Sequence, residues 1–244
     1  MDYPVLVINL NRSVDRLRNV EAQLGKDSFI RIEGIDGKEW ESEECDSNGR
    51  PFWKAGIKRK FKEEGLLSAV KIMQLIPGEV GCALSHRKAW QYIVDNKLES
   101  AVILEDDFGL TKEFKGSFLD SIDKQGGLPE DADVLFLSGK DNKHSHFKLD
   151  KKNRILSGQC NTGYVITLEG AKKAIESQFP MYMACDMQWW RVAFKNIERP
   201  FNIKPDIKRG YAYAVKKSVI VPSEFNNNST MTPSGKKPWQ LPQE

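Results

Sequence analysis

"AVILEDDFG", residues 101–109, decides the reading of this chain. Four apolar residues run without alternation, the pattern of a central strand covered on both faces, and they lead straight into Glu105, Asp106 and Asp107. Three adjacent carboxylates repel one another, and burying any of them unpaired is costly. Either the triplet is a solvated turn or something positive completes it. In an extended segment Glu105 and Asp107 point to one side and Asp106 to the other.

Outward from that strand, helices and strands alternate. "YPVLVINLNRSVDRLRNVEAQL" (3–24) reads as a short buried strand, a turn and an amphipathic helix, with Ser13 as N-cap and Val14, Leu17, Val20 and Leu24 at helical spacing. "FIRIEGID" (29–36) is a second strand closing on the turn pair Asp36-Gly37. "PGEVGCALSHRKAWQYIVDN" (77–96) starts with Pro77, suited to a helix's first turn, and sets Val80, Ala83, Leu84, Trp90 and Val94 along one face. "ADVLFLSG" (132–139) is a further strand, "RILSGQCNTGYVITLEGAKKAIESQ" (154–178) is strand, turn, strand and helix, and "CDMQWWRVAFKN" (185–196) is a short helix. The order favours an α/β sandwich with a mostly parallel sheet, in which ligands gather beyond the carboxyl ends of the strands. Asn9, Asp36, Glu105 to Asp107 and Ser138 all follow expected strands and are expected to share one crevice.

The length of 244 residues and an ordinary balance of 29% charged and 40% hydrophobic residues fit one globular domain over 1–225. Residues 40–76 read as an irregular excursion and 226–244 as an extended tail. The N-terminus has no secretory pattern, no stretch reaches membrane-spanning length, and Cys45, Cys82, Cys160 and Cys185 lack metal-knuckle spacing, so a reducing cytoplasm is expected. The formal charge of +3 is mild, with basic runs at 54–62, 148–154 and 204–217 that read as solvated faces. A nucleic-acid binder built on them would lack any known motif, so no nucleic-acid partner is expected. Peripheral contact with anionic lipid at the inner face of the membrane is a further use of these runs.

No GxGxxG or GxxxxGK[ST] is present, which removes the usual dinucleotide and P-loop readings. Ser85 and His86 diverge on a helix and form no nucleophile pair, and no GxSxG exists. His144 and His146, in a lysine-rich stretch, read as surface residues. Arg12 and Arg16, four apart, offer forked donors matched to phosphate, or pair with nearby acids such as Asp15 and Glu33. His86 stands at four-residue spacing from Cys82 and Trp90, a pattern of packed helical histidines. Asp186 is a helix N-cap or a general base. Trp189 and Trp190 read as core or interface residues.

"VLVINLNRSVDR" (5–16), "PGEVGCALSHRKAW" (77–90) and "VILEDD" (102–107), in that order, resemble glycosyltransferase family 25, which includes bacterial lipooligosaccharide galactosyltransferases and collagen-modifying enzymes. The resemblance covers most of residues 3–190 and implies a GT-A fold, a Rossmann-type α/β/α sandwich. It further implies a UDP-sugar donor, a saccharide or lipid-linked glycan acceptor, Mn²⁺ or Mg²⁺, and transfer of galactose or glucose with inversion. On this chain it makes Asp107 and Glu105 the metal ligands of a DxD-like element, with oxygen donors suited to such cations. Asn9, Arg12, Arg16, Asp36, Gly37, Gly78, Glu79, Ser85, Glu105 and Asp106 become contacts of the nucleotide sugar, and Asp186 and His86 the catalytic candidates. "NTGYVIT" (161–167) departs from the family's Gly-Thr-x-Ala-Tyr segment. No histidine follows His146, so the C-terminal histidine ligand of some GT-A enzymes is lacking. The other readings are a non-catalytic sugar-nucleotide-binding module and, further off, a nucleic-acid-binding protein.

Overall fold

The computed structural model describes residues 2–45, 51–67, 75–142, 147–157, 162–181, 184–185 and 211–223. In chain order the elements are β1 (Val5–Asn9), α1 (Val14–Leu24), β2 (Ile30–Glu33), a 3₁₀ turn (Gly37–Trp40), β3 (Glu41–Cys45), β4 (Pro51–Trp53), α2 (Ile57–Glu63) and α3 (Pro77–Asp95). They continue with β5 (Ser100–Glu105), β6 (Phe108–Leu110), α4 (Phe118–Asp123), β7 (Val134–Phe136), β8 (Lys148–Leu149), β9 (Ile155–Ser157), β10 (Gly163–Thr167), α5 (Leu168–Ser177), β11 (Ala212–Ala214) and β12 (Ile220–Pro222).

The unbroken apolar run of 101–104 lies where its composition demands. β5 occupies the interior of a six-stranded sheet of order β11-β7-β10-β5-β1-β2. Pairing is parallel for β1 with β2, β1 with β5 and β7 with β11; β10 alone runs against its neighbours. Successive side chains alternate between two cores. Leu6, Ile8, Ala101 and Ile103 face α3 and α5, packing with Val80, Ala83, Trp90 and Ala174. Val5, Val7, Val102 and Leu104 face α1 and α4, packing with Val20, Phe118 and Ile122. Val102, Ile103 and Leu104 are wholly buried, each contributing about 1.5–3 kcal/mol through its removal from water. The result is the expected three-layer α/β/α sandwich with a mostly parallel sheet.

Several local expectations are corrected. The stretch 40–76 is not irregular throughout, because β3 and β4 pair as an antiparallel ribbon and α2 follows. Its tryptophans, Trp40 and Trp53, stack and meet Phe61 edge-on, so aromatic packing orders a segment whose charged residues hide any alternation. The basic run at 54–62 falls largely on α2, where Arg59 pairs with Glu63 and Lys60 with Glu64 on an exposed face. Ser13 sits at the N-cap of α1 but its hydroxyl caps nothing, and Val14 is half exposed. Residues 143–146, 158–161, 186–210 and 224–244 lie outside the described residues, and with them His144, His146, Asp186, Trp189, Trp190 and the tail. No helix among the described residues is long and apolar enough to cross a membrane.

The register brings the functional end together. Ile8 stands opposite Glu105 and Asn9 opposite Glu33, so β1, β2 and β5 finish at one edge. The amide of Glu105 donates to the carbonyl of Thr162 as the antiparallel β10 begins. Beyond that edge, the 3₁₀ turn and the first turns of α3 touch backbone to backbone. A Cβ on Gly37 would lie 2.4 Å from the Pro77 carbonyl oxygen, and one on Gly81 would lie 2.6 Å from that of Ile35. Only glycine permits this approach. Finally, β12 pairs with β6, and the amide of Ser223 donates to the carbonyl of Asp107 over 2.7 Å.

Candidate functional site

A cavity opens at the carboxyl ends of β1 and β5. Arg12, Arg16, Asp36, Gly37, Gly78, Cys82, Ser85, His86, Glu105, Asp106 and Asp107 line it. The triplet turns at Asp106, which ends strand alternation and divides the three carboxylates differently from an extended reading: Glu105 faces α3, and both aspartates face α1.

On the α1 side, Arg16 donates to Asp106 Oδ1 over 2.9 Å and stands 3.7 Å from Asp107 Oδ2. Asn9, wholly buried, donates to Asp106 Oδ2 over 2.7 Å and to the Ser13 carbonyl, and accepts from Arg31. It therefore holds Asp106 from behind and does not line the cavity. Burial pushes the Asp106 carboxyl up, against the charge of Arg16 and the hydrogen bonds from Arg16 and Asn9. Burial together with the neighbouring charge of Glu105 pushes Asp107 up to about 7, with Arg16 pulling the other way. Arg12 precedes α1, so it shares no helix face with Arg16. Its guanidinium forks onto Asp36 (Nη2 to Oδ1 3.3 Å), neither Asp15 nor Glu33 being its partner. Burial would raise the Asp36 carboxyl, but Arg12 and the Lys38 amide outweigh it and hold Asp36 below the usual carboxylate range.

On the α3 side, His86 is wholly buried with Nδ1 2.8 Å from Tyr164 Oη and Nε2 3.1 Å from Glu105 Oε1. Trp90 Nε1 donates to the same Tyr164 oxygen over 2.9 Å. Cys82 Sγ is 3.8 Å from Glu105 Oε1. Burial by itself would lower the imidazole, yet hydrogen bonding with Cys82 and Glu105 and the charge of Glu105 push it up to about 9. The Cys82 thiol is driven well above its ordinary value by its hydrogen bond with Cys185 and by burial.

Two expected contacts serve the scaffold. Ser85 lines the cavity, but its hydroxyl accepts from the Ile35 amide over 2.8 Å and donates to the Gly81 carbonyl over 2.7 Å, clipping α3 to the loop after β2. Glu79 accepts from the Ile76 amide over 2.9 Å and caps α3 away from the cavity wall. Ser138 is buried, donating to the Ile220 carbonyl and accepting from Asn142, and does not join the crevice. Cys82 and Tyr164 escaped the sequence reading as site residues. The four-residue spacing of Cys82, His86 and Trp90 was the available signal for one of them; the tyrosine arrives across a strand pairing that spacing does not reveal.

The family model and the sequence relatives point to one family. The family model described as "Glycosyltransferase family 25 (LPS biosynthesis protein)" matches residues 2–189. Procollagen galactosyltransferase 2 of Mus musculus is 23% identical over 183 residues, covering 70% of this chain and 27% of that protein. Procollagen galactosyltransferase 1 of Danio rerio is 27% identical over 184 residues, covering 71% and 28%. "Probable inactive glycosyltransferase 25 family member 3" of Bos taurus is 29% identical over 108 residues, covering 43% and 18%. This chain thus spans less than a third of the length of these curated relatives. Among solved structures, HddC from Yersinia pseudotuberculosis complexed with GMP-PN covers 96% of both chains at 12% identity with a TM-score of 0.38, a likeness too slight to argue from. On the match to most of its residues, the chain belongs to glycosyltransferase family 25.

Proposed function

We propose that this protein is an inverting, metal-dependent hexosyltransferase that moves galactose or glucose from a UDP-sugar to a saccharide acceptor in lipopolysaccharide, lipooligosaccharide or other surface-glycan synthesis. The observation that carries the reading is one cavity lined together by Glu105, Asp106, Asp107, Arg12 and Arg16 at the carboxyl ends of β1 and β5. The donor set suits a hard cation: burial, and after it the neighbouring charge of Glu105, pushes Asp107 up to about 7, and oxygen ligands suit Mn²⁺ and Mg²⁺. Glu105 and Asp107 are the residues that would hold it, and when bound it supplies charge stabilisation for a departing diphosphate.

The chain's own residues account for the rest. Arg16, braced between two carboxylates, fixes the orientation of the acidic turn. Asp36, kept ionised by Arg12, offers an acceptor for hydroxyl or imino groups of the nucleoside. Gly37 and Gly78 bring backbone to the cavity wall, where the donor would lie against it. His86 steadies Glu105 through a partly buried hydrogen bond. Asp186 is assigned as general base for the acceptor hydroxyl on sequence grounds.

The test is turnover of UDP-galactose and UDP-glucose with and without Mn²⁺, over a panel of lipooligosaccharide-type acceptors. Chelation should abolish transfer, and Asp107→Asn should lower kcat by about 100-fold or more while circular dichroism stays unchanged. Undiminished turnover by the variant sinks the assignment. The second reading, a sugar-nucleotide-binding module without turnover, draws on the bovine relative whose name calls it probably inactive. Donor binding without hydrolysis or transfer in the same assay selects it.

A further inference from the structure

The α3 wall of the cavity joins three side chains of unlike chemistry. Cys82 and His86 lie one helical turn apart, and Glu105 ends the strand they face. Cys82 Sγ, a His86 ring nitrogen and a Glu105 carboxylate oxygen all lie within 4.8 Å of one another. A four-coordinate Zn²⁺, with bonds of about 2.0–2.1 Å to nitrogen and oxygen and about 2.3 Å to sulfur, sets its nitrogen and oxygen ligands ~3.3 Å apart and its sulfur and oxygen ligands ~3.6 Å apart. The corresponding separations here are 3.1 Å and 3.8 Å. Two edges of the coordination polyhedron are therefore already in place.

We propose that Cys82, His86 and Glu105 form a site for a thiophilic divalent cation of the Zn²⁺ class, with its remaining position open to the cavity. The surroundings are those of a metal-bound imidazole. Tyr164 Oη engages His86 Nδ1, and Trp90 Nε1 engages Tyr164, so the ring is oriented with Nε2 as the ligand atom. Cys185, itself buried, is in hydrogen-bonding contact with Cys82 and favours its protonated thiol, so the metal has to displace that proton on binding. Loading releases the thiol proton of Cys82 and the Nε2 proton of His86 to solvent as the metal–sulfur and metal–nitrogen bonds form. Sulfur and imidazole ligation disfavours Mg²⁺ and Mn²⁺, which separates this site from the carboxylate-only Asp107 end of the turn. Glu105 belongs to both ends, so a zinc-class ion held here competes for that carboxylate. The inference does not rest on the transferase reading, since no donor or acceptor enters its test.

The experiment titrates chelator-stripped full-length chain with Co²⁺. One equivalent should develop a thiolate-to-cobalt charge-transfer band in the near ultraviolet and the intense visible bands of tetrahedral cobalt. Zn²⁺ should bleach both; a 100-fold excess of Mg²⁺ should not. C82S should lose the charge-transfer band, and D107N should keep the full spectrum. Absence of the band at stoichiometric cobalt, its persistence in C82S, or its loss in D107N overturns the proposal. Should C82S fail to fold, the intact chain still decides the matter by alkylation mapped by mass spectrometry. Zn²⁺ should slow labelling of Cys82 at least 10-fold, and equal labelling with and without Zn²⁺ overturns it.

Discussion

Glu105 and Asp107 are two residues apart and live in different chemistries. The aspartate, with Asp106, faces α1 and is balanced by the permanent charge of Arg16, backed by the amide of Asn9. The glutamate faces α3 and meets an imidazole and a thiol, with Tyr164 and Trp90 behind them. Residue type is nearly constant across the triplet, so the difference comes from which helix each sheet face packs against. One end is an ion-pair cluster that only a fixed cation relieves; the other is a titratable, polarisable nest.

That contrast can be broken at several points. The largest effect is expected for Arg16→Met, which leaves two nearly buried carboxylates without their counter-charge and should cost about 3–5 kcal/mol at pH 8. The defect should shrink toward pH 5, because Asp107, already pushed up to about 7, then takes up its proton. Urea melts at both pH values check this, and a defect of equal size at each would mean that packing, not charge, is what Arg16 contributes.

The α3 side should titrate in the opposite sense. His86 in the fold holds its proton up to about 9, against 6.5 ordinarily. Its contribution is complete below pH 6.5 and is lost as pH rises through 9. At ~1.4 kcal/mol per pKa unit the loss is on the order of 3 kcal/mol. Thermal melts of EDTA-treated protein across that window should show the decline, and His86→Gln should flatten it; an equal slope in the variant removes His86 as its source. The smallest expected effect is that of Tyr164→Phe, which takes one hydrogen-bond partner from both Trp90 and His86 and should cost about 1–3 kcal/mol. Combined with Arg16→Met it should be additive within ~0.5 kcal/mol if the two ends are separate. Coupling well beyond that would merge them into one network.

Much of this arrangement was legible. The apolar run at 101–104, Pro77 at the head of a helix and Val5 to Leu10 as a buried strand each carry a local physical signal, and the carboxyl-edge rule then predicts where ligands gather. The β3–β4 ribbon was not legible, because Glu41, Glu43 and Glu44 mask strand periodicity and the stabilising contact is made by Trp40, Trp53 and Phe61. Asp36 as partner of Arg12, and Asn9 as a brace behind Asp106, follow from lateral strand order, which no single segment encodes. Ser85 looked like a ligand contact because its role, joining Ile35 to Gly81, requires knowing that two glycine-bearing backbones meet.

The bond from Ser223 to the carbonyl of Asp107 has a consequence for how the protein is made and trimmed. All three acidic residues leave the ribosome early, yet the clasp that secures their turn is translated more than a hundred residues later, beyond the end of the stretch that matches the family. A fragment cut at residue 189 would display every signature by which the chain is recognised and keep the Arg16 and Asn9 contacts to its acidic turn, yet lose the strand that fastens the turn's far side.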